Sequence, residues 1–202
     1  MTDKTAKTVI GLATITLLVL LAPTPAAAHI VKGEAIGFAS GFEHPISGLD
    51  HIIAMVAVGL WGAQLGAPAI WLLPVTFPLV MAFGGFLGLI GVPLPGDELA
   101  IALSGVCLGG AVLSEFRPPL WVAAALVGTF GLFHGYAHGH ELPPGQNAML
   151  YSLGFILATG LLHATGIFIG LLHRWRWGQF ALRGAGALVL SGGLFFLWSA
   201  LA

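Results

Sequence analysis

The chain has 202 residues, of which 57% are hydrophobic and only 7% charged, where an ordinary soluble domain carries about 25% charged residues. So few charges cannot clothe a core of this size in water, and lipid must be the solvent for most of the chain. The net charge of −1 supplies no basic surface for nucleic acid. The lone Cys107 excludes an internal disulfide and a multi-cysteine zinc site and reads as a small packing residue in an apolar run.

In chain order, Lys4 and Lys7 precede an apolar run from Val9 to Ala22. At about 14 residues the run is short for a membrane span, and Pro23-Thr24-Pro25-Ala26-Ala27-Ala28 after it places small residues at Ala26 and Ala28. This pattern predicts a cleavable signal peptide over residues 1–28 and a membrane domain over 29–202, with an uncleaved first helix as the alternative. Six long apolar segments follow: about Pro45 to Leu65, Ala69 to Val92, Glu98 to Ser114, Pro118 to Gly139, Ala148 to Leu172 and Phe180 to Leu201. Each is near the ~20 residues that cross ~30 Å of hydrocarbon. Their connections are short and carry the proline and glycine that start and stop helices. The expected fold is an all-α integral membrane protein, a six-helix transmembrane bundle.

Orientation follows from charge. A cleaved signal puts the mature N-terminus outside, and the inside loops then hold Arg117, Arg174, Arg176 and Arg183, all the arginines of the chain. The outside loops hold Asp97, Glu98 and Glu141 and neither lysine nor arginine. This is the positive-inside bias. It predicts a bacterial inner-membrane protein with both mature termini in the periplasm. Small-xxx-small pairs at Gly62/Gly66, Gly84/Gly88, Gly105/Gly109 and Gly166/Gly170, and a stripe at Gly131, Gly135 and Gly139, suit close helix packing.

Ionisable groups inside hydrocarbon are expensive and therefore functional candidates. Here they cluster. His44 and His51 are seven residues apart, two turns along one helix face, and Asp50 adjoins His51. Imidazole with carboxylate is a ligand set for borderline divalent cations, although His44 alone also reads as polar decoration of a helix start. His134 and His138 stand at i and i+4, a chelating spacing near the outer end of the fourth segment; the plain alternative is a polar helix end, and His140 reads as a loop residue. His163 lies about 21 Å down the fifth segment at 1.5 Å per residue, either a hydrogen-bonded structural histidine or a second station. His173, among Arg174, Trp175, Arg176 and Trp177, reads as an interfacial anchor, and Glu115 with Arg117 as solvated or paired. Cleavage after Ala28 would give His29 a free amine beside its imidazole, a possible metal-capture chelate.

With these residues in view, the chain resembles the HupE/UreJ family of hydrogenase and urease accessory membrane proteins. The most specific segment is His44-Pro45-x-x-Gly48-x-Asp50-His51. The second is His134-Gly135-x-Ala137-His138-Gly139-x-Glu141, and a weaker third is Gly154-Phe155-x-x-Ala158-Thr159-x-x-x-His163. The resemblance runs from the signal segment through all six helices. It implies a nickel or cobalt permease in which His44, Asp50, His51, His134, His138 and Glu141 handle the metal, with His163 added, and it assigns nothing to Tyr136 or His140.

The leading expectation is therefore uptake of nickel, or cobalt, from periplasm to cytoplasm by a non-enzyme that supplies a hydrogenase or urease. The ion is cargo and no permanent cofactor is implied. The expected partners are a divalent ion and the bilayer, with a homo-oligomer possible. No Gly-x-x-x-x-Gly-Lys-Ser/Thr loop is present for ATP hydrolysis. The alternative is an intramembrane metal-dependent enzyme, supported by the His134/His138 pair but lacking His-Glu-x-x-His. A sensor or assembly factor without transport is a third reading.

Overall fold

A computed structural model describes residues 37–140, 142 and 147–202; the expected signal peptide, the candidate His29 and the candidate Glu141 lie outside the described residues. Among the described residues every regular element is helical. They are α1 (Gly37–Ser47), α2 (Leu49–Leu65), α3 (Ala69–Leu89), α4 (Asp97–Ser114), α5 (Leu120–His140), α6 (Ala148–Gly170), a 3-10 turn (Leu171–Arg174) and α7 (Arg176–Leu201). Five of these helices are long and apolar enough to cross a membrane by length and composition.

The first expected segment is the one the structure corrects. The helical run begins at Gly37 rather than Pro45, and α1 and α2 form a broken pair bent by 82°. The cause is local. Pro45 inside α1 has no N–H to give the preceding turn, and Gly48 is extended (φ −101°, ψ 120°) where a helical residue would continue. Ser47 closes α1 by donating its hydroxyl to the His44 carbonyl (2.7 Å), and the Gly48 carbonyl accepts the first bond of α2 from Ile52 N (3.0 Å). His44 and His51 therefore belong to two helices and share no helix face. The remaining segments keep their expected positions, with α7 starting four residues early.

The helices associate where side chains are smallest. In lipid there is no hydrophobic drive between helices, so close van der Waals contact carries the association. α3 and α5 pack through Gly84 and Gly88 against Gly131, Gly135 and Gly139; at each of the five, a Cβ would meet the partner helix's backbone. α4 packs on α7 at Gly105, Gly109, Gly186 and Gly193. α6 receives α1 at Gly41 and Gly154, and α2 at Gly59 and Gly166. Gly66 belongs to no such stripe: nothing approaches its Cβ position, and its φ of 78° ends α2 in the left-handed region that favours glycine. Cys107 is exposed on α4 rather than packed inside.

At the arginine-bearing end, α2 is tied to α4. The fully buried Trp61 donates its indole N–H to the Phe116 carbonyl (2.9 Å), and the Gln64 amide donates to the Val112 carbonyl (3.1 Å). The first bond reaches the α4–α5 connection and the second the last turn of α4.

Candidate metal site

At the opposite end of the bundle, three helices deliver imidazoles to one place. His44 arrives on α1, His51 on the first turn of α2, and His134 and His138 on α5. The His138 ring lies 4.5 Å from His44 and 4.6 Å from His51, centre to centre, and His51 lies 5.2 Å from His134. α6 supplies the apolar wall: Phe155 is 4.5 Å from His138 and 6.1 Å from His44, and Tyr151 is 5.9 Å from His44. A cavity of about 240 Å³ reaches His138 from between α3, α5 and α6, bordered by Met81, Gly85, Tyr151 and Phe155.

The hydrogen bonds fix which nitrogen of each ring is free. His51 Nδ1 lies 2.8 Å from Asp50 Oδ1; a carboxylate accepts, so Nδ1 carries the proton and Nε2 keeps its lone pair. His134 Nδ1 donates to the Phe130 carbonyl one turn back (2.9 Å). His163 Nδ1 donates to the Pro74 carbonyl of α3 (3.2 Å). That carbonyl is available because Pro78, four residues on, has no N–H to offer it. The Nε2 atoms of His51, His134 and His163 and both ring nitrogens of His138 are buried without a hydrogen-bond partner. An unsatisfied buried polar group costs about 1–3 kcal/mol, so this arrangement works against stability. A metal-ligating histidine has this same arrangement, one N–H held by an oxygen and the other nitrogen bare.

Gly48 makes room for the pair at the break. A Cβ there would stand 2.7 Å from Asp50 Oδ1 and 3.1 Å from His51 Nδ1. Among the described residues no three His, Cys, Asp or Glu side chains already surround one point as a cage; His44 meets His138, and His51 meets His134, edge to face, while His51 and His138 are tilted at 51°.

Of the sequence candidates, His44, Asp50, His51, His134 and His138 are thus brought together. His163 is not among them; the Phe77 ring is 5.3 Å from both His163 and His134. His140 ends α5 as an exposed helical residue rather than a loop residue and stacks on Tyr136 (6.1 Å). Tyr136 accepts a bond from Leu94 N (3.2 Å), away from the cluster. His173 is held by the Gly170 carbonyl (2.9 Å) in the 3-10 turn. Of the aromatic residues, Phe155 entered the sequence reading only as a letter of the third motif, with no role, and Tyr151 and Phe77 were not singled out. The available signal was the helical spacing of Tyr151, Phe155, Thr159 and His163 along one face of α6.

Broken helices, glycine-cemented packing and an intramembrane histidine–aspartate cluster define a polytopic membrane protein with a candidate metal site. Comparison with known proteins gives the family. Residues 17–196 match the HupE / UreJ protein family. The chain is 47% identical over 184 residues to Protein HupE of Rhizobium leguminosarum bv. viciae, covering 91% of this chain and 96% of that one. The chain belongs to the HupE/UreJ family, hydrogenase and urease accessory proteins implicated in nickel and cobalt uptake. No solved structure matches it.

Proposed function

We propose that the chain is a nickel permease, accepting cobalt as the alternative ion, which carries the divalent cation from periplasm to cytoplasm across a bacterial inner membrane. In this reading the bent α1–α2 pair is the first of six spans, the signal peptide is removed after Ala28, and both mature termini face the periplasm. The supporting observation is the convergence of His51, His134 and His138, with four bare buried ring nitrogens, beside Asp50 and His44. Imidazole nitrogens and one carboxylate suit a borderline cation such as Ni²⁺ or Co²⁺. The cluster takes the ion from the periplasm and exchanges part of its water for imidazole; His163 receives it next. Glu141 belongs to the same set through the family motif, and His29 is a capture group at the mature N-terminus.

Conduction requires binding strong enough to admit the ion and weak enough to release it. A cluster whose described side chains do not already surround one point meets that requirement. Inward movement of a cation is favoured by the membrane potential, worth about 2.3 kcal/mol per charge per 100 mV.

The test is radioactive nickel uptake by the purified full-length protein in liposomes, wild type against Asp50→Asn and His51→Ala. Uptake by the wild type and a loss of about tenfold or more in both variants is expected, the range for removing groups that hold or orient a metal ligand. Equal uptake in all three rejects the site, and metal that binds without crossing favours the intramembrane enzyme.

A further inference from the structure

Phe77 packs against a histidine of each level. Its ring is fully buried and stands 5.3 Å from His134, with 63° between the ring planes, and 5.3 Å from His163, at 89°. Both imidazoles have their Nδ1 protons committed to backbone carbonyls and their Nε2 atoms bare and buried. The phenyl ring beside both imidazoles offers no lone pair and no hydrogen bond to water.

The backbone that carries this ring has lost its usual hydrogen bonds. Pro74 and Pro78 bracket Phe77 within α3, so the Ile70 and Pro74 carbonyls receive no helical N–H from four residues on. Side chains of neighbouring helices commonly satisfy such freed carbonyls. Here the side chain is His163, whose Nδ1–H reaches the Pro74 carbonyl at 3.2 Å. One residue thus both touches the Phe77 ring and holds the turn that bears it. On the other side, the Phe77 carbonyl lies against Gly131 of α5, three residues before His134; a Cβ at Gly131 would stand 2.7 Å from that oxygen.

We infer that Phe77 is the gate of this permease: an apolar partition that excludes water between the outer cluster and His163, opened by displacement of its ring and coupled to His163 through the Pro74 carbonyl. The inference rests on the permease reading and deepens it by naming the barrier. Hydrophobic constrictions of this kind close a pathway by dewetting. Without the ring, water would connect the bare imidazoles of the two levels and conduct protons.

The experiment uses the full chain in liposomes with radioactive nickel outside and a pH-sensitive dye trapped inside, alongside equilibrium nickel binding to the detergent-solubilised protein. Phe77→Trp overfills the partition. It should bind nickel as the wild type does while uptake falls about tenfold, the rate equivalent of overpacking a close-packed site. Phe77→Ala removes the partition, and a proton leak absent from the wild type should appear without nickel. If the alanine protein does not fold, the smaller truncation Phe77→Val carries the same proton readout. Wild-type uptake by the tryptophan variant, or proton-tight vesicles with the truncated ring, overturns the gate. A wild type that binds nickel but never transports it overturns the permease reading itself, so the two failures are distinguishable.

Discussion

A histidine placed for structure alone would have both nitrogens satisfied. In the buried histidines here the opposite holds: His51 and His134 of the cluster, and His163 apart from it, each commit Nδ1–H to an oxygen and leave Nε2 bare, and His138 leaves both nitrogens bare. At about 1–3 kcal/mol per unsatisfied group, the arrangement is costly by itself, and it is the one a set of metal-ligating histidines presents. His138 and His140 differ by two residues and make a sharp comparison. His138 lies inside the ring of imidazoles, whereas His140 is exposed and stacked on Tyr136. His138→Ala should weaken nickel binding at least about tenfold, and His140→Ala should leave it unchanged. Equilibrium dialysis of the two purified proteins checks this, and equal losses would refute the assignment.

Among the helices, glycine decides both where the site is and how firmly it is held. Gly48 breaks the helix between α1 and α2 and leaves the space in which Asp50 meets His51. Its backbone angles, φ −101° and ψ 120°, are ones alanine adopts freely, so Gly48→Ala tests space alone. The added Cβ should displace the carboxylate–imidazole pair and lower nickel affinity, with helix content by circular dichroism unaltered. Gly135 sits between the two site histidines of α5, and a Cβ there would land on the Met81 carbonyl of α3. Gly135→Ala should lower thermal stability in detergent by the equivalent of about 1–3 kcal/mol of overpacking. An unchanged melting temperature would show that α3 and α5 are not in this close contact.

The whole molecule is polarised along its helices. One end carries the histidine cluster with Asp97 and Glu98 at the start of α4; the other carries Arg117, Arg174 and Arg176, with Arg183 in the first turns of α7. In a bilayer this asymmetry sets orientation. With Cys107→Ser as background, Pro95→Cys in the α3–α4 connection should react with a membrane-impermeant maleimide added from the periplasmic side. Phe116→Cys in the α4–α5 connection should react only once the cytoplasmic side is exposed. The reverse pattern would invert the direction of transport proposed above.

The sequence by itself determined the lipid environment, the starts of α3 at Ala69 and of α6 at Ala148, the charge asymmetry of the two ends, and the histidines and aspartate worth examining. These are quantities summed over neighbouring residues: hydropathy, helix-stopping proline and glycine, and spacing along a turn. Only the tertiary structure decided that His44 and His51 lie on separate helices yet meet at His138, that Phe130 and Pro74 fix the protonated nitrogens of His134 and His163, and that one phenyl ring touches a histidine of each level. The physical reason is that the α1–α6, α2–α6 and α3–α5 contacts form where glycines let backbones touch. Such contacts join residues far apart in the chain, as His163 and Pro74 are, and no local pattern records them.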